Sequence, residues 1–273
     1  GLRVAEEIQN LVLNSEFNKA ENLLKRQDIN NITQVIDHLA LSIKGKKLKA
    51  WQETENTDFS KLTLGVFYLN QAWIVRGNNL SDEVSDDKTV SFNNYLHLSK
   101  SIFSLISENS VYEAELYSRK IRLHMGLNDN ETGYSYFKKV SQKYPDLIGA
   151  FIHYSELIQP KWGGSIDEVV NFKEGLPDNF LIKSIIELKL IMDAIVINDN
   201  YFVKYNEDLN DFAIEKILKI DKELLTNDLT SIHKYILYNY MEAISNNTNR
   251  RDLRTKYLKL VDGNYTIYPY GLI

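Results

Sequence analysis

The chain has 273 residues, 44% of them hydrophobic and 25% charged, which is enough to bury one large core or two small ones. A net charge of −5 argues against a general nucleic-acid binder, which carries a basic face. The absence of cysteine excludes disulfides, thiolate catalysis and cysteine-held metal.

Helical periodicity runs from end to end. Residues 3–13 put Val4, Ile8, Leu11 and Val12 on one face. Ser15 is expected to N-cap a second helix over 16–26, with Phe17, Ala20, Leu23 and Leu24 as its apolar stripe. A third helix is expected over 32–43, followed by a basic cluster from Lys44 to Lys49 and a polar loop over 52–60. A long helix from Lys61 to Arg76 ends at Gly77, a residue suited to the left-handed position that closes helices. Residues 78–87, with Asp82, Glu83, Asp86 and Asp87, read as a mobile acidic loop.

Helices are then expected over 89–108, 112–125, 130–143 and 147–158. Their joints are marked by Gly126-Leu-Asn-Asp-Asn130 and Tyr144-Pro145-Asp146. Trp162-Gly-Gly-Ser165 forms the next joint, before a helix over 166–173 and the turn Leu176-Pro177-Asp178. The helix over 179–197 is apolar around most of its circumference, so it is expected to be covered on several sides. Its charged residues, Lys183, Glu187, Lys189 and Asp193, exclude a membrane span. Helices near 207–220, 227–245 and 249–261 close the pattern, and the aromatic tail from Tyr265 is expected to be non-helical.

No strand-turn-strand pattern occurs, so the fold class is all-α, with antiparallel helical hairpins. Phe137 and Phe172 lie 35 residues apart and Pro145 and Pro177 lie 32 apart, close to the unit length of a tetratricopeptide repeat. The hairpins are therefore expected to stack as a tetratricopeptide-like α-solenoid, or as an irregular α-α superhelix, within a single domain spanning 1–273. Either way, each hairpin hides its apolar face against its neighbour.

Two segments carry a family resemblance. One is Ala72-Trp73-Ile-Val-Arg76-Gly77, followed by Val84 and Phe92. The other runs from Tyr144-Pro145-Asp146 through Tyr154 to Gln159-Pro-Lys-Trp-Gly-Gly-Ser165. In order and separation they resemble bacterial domain-of-unknown-function family 4034, over roughly residues 10–175; residues 178–273 form a C-terminal helical extension outside it. The resemblance implies a tetratricopeptide-like bacterial protein and carries no activity.

Ser165-Ile-Asp-Glu168 reads as a capping box, with Gly163 and Gly164 permitting the preceding turn. The same atoms, with Lys161, offer an anion site at a helix N-terminus as the alternative. Arg76 is expected to bond carbonyls or one of the acids at 82, 83, 86 and 87. The histidines at 38, 97, 124, 153 and 233 are dispersed and show no paired-ligand spacing, so neither metal nor cofactor is expected. Asp86-Asp87 and Glu113-Ala-Glu115 are the best paired carboxylates, and both are expected to be solvated. No serine sits in a nucleophile elbow.

Tyrosines 112, 117, 134, 136, 144 and 154 crowd the family-like region, and tyrosine suits both helix joints and binding grooves. The expected function is a non-enzymatic scaffold for a protein or peptide partner, touched by Trp73, Arg76, Tyr117, Tyr154 and Trp162, with no nucleic-acid partner. The alternative is an enzyme or small-molecule binder with a pocket near Trp73, Arg76 and Trp162. Gly1 stands where an initiator methionine is usual, so a removed leader and an exported, periplasmic location remain open beside a cytoplasmic one.

Overall fold

A computed structural model describes residues 2–77, 84–107, 109–197 and 208–270. Among these residues the regular structure is helical throughout, so the chain is all-α. No helix among them is long and apolar enough to cross a membrane. The helices group into two compact units that divide between Leu157 and Ile158.

The first unit contains α1 (Leu2–Leu13), α2 (Phe17–Leu24), α3 (Ile29–Ser42), α4 (Gly45–Glu55), α5 (Asp58–Arg76), α6 (Asp86–Phe103), α7 (Glu113–Gly126), α8 (Asn130–Lys143) and α9 (Ile148–Leu157). Odd-numbered helices pack in succession, α1 on α3, α3 on α5, α5 on α7 and α7 on α9. Even-numbered helices lie against them from outside. Neighbours run antiparallel. As α5 climbs from Gly65 to Trp73, its partners on α6 fall from Phe103 to Phe92. The close approach at Gly65 needs glycine, because a Cβ there would meet the Phe103 ring at 2.4 Å. Phe17, Trp51, Phe59 and Tyr112 form an aromatic ladder from α2 through α4 and α5 to the start of α7, with successive ring centroids 5.6, 4.9 and 6.1 Å apart.

The second unit begins with a 3-10 turn (Pro160–Trp162). It continues with α10 (Ile166–Glu174), α11 (Phe180–Ile197), α12 (Leu209–Glu223), α13 (Ser231–Asn247), α14 (Arg251–Val261) and the kinked turn α15 (Ile267–Tyr270). The same alternation holds: α11 packs on α13 and α13 on α15, with α10, α12 and α14 beside them. As expected, α11 is covered on several sides, and Leu181, Ile182, Ile185, Ile186, Leu188 and Ile191 are all buried. Pro145 and Pro177 occupy equivalent joints, from α8 to α9 and from α10 to α11.

Three expectations need correction. The basic cluster and most of the polar loop form a helix, α4, over Gly45–Glu55, anchored by buried Leu48 and Trp51, and residues 58–60 open α5. The joint to α5 is only Asn56, in the left-handed conformation, and Thr57, whose side chain accepts from the Ser60 amide. Ser15 does not cap α2; its φ of 61° makes it part of the turn that closes α1. Asp86 and Asp87 are not loop residues. They form the first turn of α6, where the helix dipole favours them; residues 78–83 of the expected loop lie outside the described residues. The tail is not a regular helix, as expected: the turn at Ile267–Tyr270 is broken at Tyr268, whose backbone is extended (ψ 137°) before a cis bond to Pro269.

Candidate functional site

The Gly-Gly-Ser joint is held by hydrogen bonds of its own backbone and cap. Gly163 has φ 85°, and its amide donates to the Pro160 carbonyl. The Gly164 amide donates to the Gln159 carbonyl, and a Cβ on Gly164 would sit 2.0 Å from the Ile158 carbonyl oxygen. Ser165 Oγ accepts from the Glu168 amide at 3.2 Å. The returning Glu168 carboxylate accepts from the Ser165 hydroxyl at 2.9 Å, where a capping box would have used the Ser165 amide. Gln159 is fixed in turn by Asp193 on α11 at 2.7 Å, and Lys189 pairs with the same carboxylate. The glycine amides that an anion would need already donate within the turn.

Trp73 is 7% exposed, edge-on to Phe92 at 5.2 Å, with the Arg122 guanidinium 5.2 Å from its ring. It is a core residue of the first unit. Arg76 is half-buried and bonds the Gly77 carbonyl at 3.0 Å, and burial pushes its guanidinium below the usual arginine range. Trp162 is half-buried in the second unit, so the structure does not place it in one unit with Trp73 and Arg76.

Glu115 overturns the expectation of a solvated pair. It is 1% exposed and lies at the centre of a polar cluster in the core of the first unit. Arg119, one turn along α7, donates from Nε to Glu115 at 2.6 Å, and from Nη2 to Asp37 of α3 at 2.7 Å and to the Thr33 carbonyl. The Thr33 hydroxyl completes the ring at 2.6 Å from Glu115. Asn30, on the same face of α3, reaches the next joint, donating to the Asp146 carbonyl and accepting from the Ile148 amide at the start of α9. Sequence reasoning missed this cluster. The one signal available was the Glu115–Arg119 spacing, which puts opposite charges one turn apart on a helix face.

Ser118 and His153 sit beside the cluster and resemble a nucleophile–base pair. Their geometry excludes that role. His153 Nδ1 lies 2.9 Å from the Ser118 carbonyl oxygen, which can only accept, so Nδ1 carries the hydrogen and cannot take one from Ser118 Oγ at 3.1 Å. Burial, with the charges of Arg119 and Arg122, holds His153 well below the usual histidine range, so it is neutral. Ser118 is fully buried. His124 is engaged by Asp129 at 3.0 Å and His38 by Gln9 at 2.7 Å. Among the described residues no three metal-ligating side chains converge.

The tyrosines converge on α8. On the α7 side, Tyr117 lies 5.4 Å from Tyr136, and the ammonium groups of Lys120 and Lys139 stand 5.1–5.9 Å from both rings. On the α9 side, Tyr154 stacks on Phe137 at 3.9 Å and nears Tyr134, which is 46% exposed with Lys138 over its ring. Glu113 takes Lys143 and the Tyr144 hydroxyl, and these hold its carboxyl below the usual range. Tyr117 and Tyr154 are thus brought to opposite flanks of one helix.

No protein-family model, curated protein or solved structure matches this chain. The resemblance to family 4034 rests on its two sequence segments.

Proposed function

We propose that this chain is a non-enzymatic, bacterial helical-repeat scaffold of tetratricopeptide-like type that binds a protein or peptide partner through the tyrosine-rich face of α7, α8 and α9. One observation carries the reading: the rings of Tyr117, Tyr134, Tyr136 and Tyr154 gather on both flanks of α8, and Tyr134 presents nearly half its surface to solvent. Tyrosine gives large contact area at low entropic cost, and its hydroxyl stays satisfied whether wet or docked, so such clusters suit the centre of an interface. The polar groups that could have supported catalysis favour the same reading, because Ser118 with His153 and Glu115 with Arg119 form two buried, bonded pairs.

The test is a selection of displayed short random peptides on the full chain, repeated with Tyr134→Ala and Tyr136→Ala. Tyr134 is exposed enough for the fold to survive its loss. Binders recovered by the parent chain should lose affinity for the two variants. Recovery of no binder, or of binders indifferent to both changes, refutes the reading.

A further inference from the structure

We propose that the exposed ridge of α8, between its α7 and α9 flanks, docks an acidic peptide segment; this deepens the reading above and rests on it. The chain carries a net charge of −5, yet here it collects lysines. The ammonium groups of Lys120 and Lys139 both stand within 6 Å of the Tyr117 and Tyr136 rings, and Lys138 stands 5.8 Å from Tyr134. Ring quadrupoles attract these cations, so the positive charge is gathered over the tyrosines instead of spreading into solvent.

The carboxylates of the same two helices and their joint are engaged or displaced. Glu113 holds Lys143 and Tyr144, Glu115 is buried against Arg119, and Asp129 holds His124 and the Thr132 amide. Glu131 stands exposed in the first turn of α8, about two turns before Lys138 and Lys139. What remains along this ridge is the exposed ammonium groups of Lys138 and Lys139 beside half-exposed tyrosine. A glutamate or aspartate side chain satisfies both parts, with its carboxylate on Lys138 and Lys139 and its methylenes along the tyrosine rings.

Single-stranded nucleic acid is the competing polyanion. It needs open ring faces on which bases stack. The Tyr117 and Tyr136 rings are tilted against each other beside two lysines, Tyr154 is stacked on Phe137, and the chain as a whole repels a long polyanion.

The peptide selection also tests this, read now by composition. Enriched peptides should be rich in Asp and Glu. Their affinity should fall about tenfold in the Lys138→Glu/Lys139→Glu double variant and on raising salt, because surface ion pairs are individually weak and screened. The Lys138→Arg/Lys139→Arg variant should keep it. Both side chains are exposed, and an unchanged circular dichroism melt establishes that the double variant folds. Enriched peptides that are neutral or basic overturn the proposal while leaving the scaffold reading intact. So does affinity unmoved by the charge reversal, or displacement of the peptide by an oligothymidylate. A selection that recovers nothing overturns both.

Discussion

Replacing Arg119 by methionine is the most incisive perturbation of this structure. The guanidinium is 2% exposed and joins two carboxylates that are equally hidden. The Asp37 carboxylate has no other hydrogen bond among the described residues, and its Oδ1 is buried without a partner. Two unit charges about 4 Å apart attract by about 4 kcal/mol at an effective dielectric constant near 20. The arginine holds two such partners, and part of that attraction offsets the cost of burying its own charge. Removing one member of a buried ion cluster costs about 3–5 kcal/mol, because the remaining charges stay uncompensated. That is a large share of the roughly 5–15 kcal/mol by which domains are stable. Urea unfolding followed by circular dichroism and tryptophan fluorescence measures it, and Trp51 and Trp73 both report on the first unit. A joint replacement, Asp37→Leu with Glu115→Leu and Arg119→Met, should recover most of the loss, since it leaves no buried charge. A loss below about 1 kcal/mol for Arg119→Met alone would refute the argument.

Gly164→Ala should destabilise the second unit by about 2–3 kcal/mol, because the new methyl meets the Ile158 carbonyl, backbone that cannot step aside; a thermal melt reads the loss. Ser165→Ala should cost about 1 kcal/mol by removing the α10 cap, and hydrogen exchange at Glu168 should quicken. His153 is held below its unfolded value, so the folded state binds fewer protons. Its contribution is complete above about pH 6.5 and is lost as pH falls below that, at no more than about 1.4 kcal/mol per pH unit. His153→Gln should lessen the fall in stability between about pH 6.5 and 5, measured by urea unfolding across that range, leaving the part due to His38 and His124, which burial also lowers. Tyr134→Ala should cost no more than about 1 kcal/mol of stability, since nearly half of its surface is already exposed, even as it weakens binding.

The sequence displays those parts of the fold that rest on local chemistry. The α11 periodicity, the Gly77 stop, the Pro145 and Pro177 joints and the Ser165 cap all depend on residues a few positions apart, so they are visible in one dimension. Helix α4 was hidden because its burial rests on two residues, Leu48 and Trp51, among lysines and glutamates that resemble a solvated loop. The Arg119 cluster was hidden for a different reason. Its charges look like ordinary surface residues until α3 is folded against α7, which brings together positions 82 apart. The tyrosine face was partly legible. Composition marked Tyr117 and Tyr154, but only the antiparallel turn at Asn128 and Asp129 shows that Lys139 stands over the Tyr117 ring.

The link from Asp37 to Arg119 also bears on how the first unit comes apart. A row of helices that touch only their immediate neighbours can unzip from either end, one hairpin at a time. Here a clasp fastens the third helix to the seventh, so neither can leave without stranding charge in oil. The stretch between them therefore opens as one cooperative block, and fraying is confined to what lies outside the clasp.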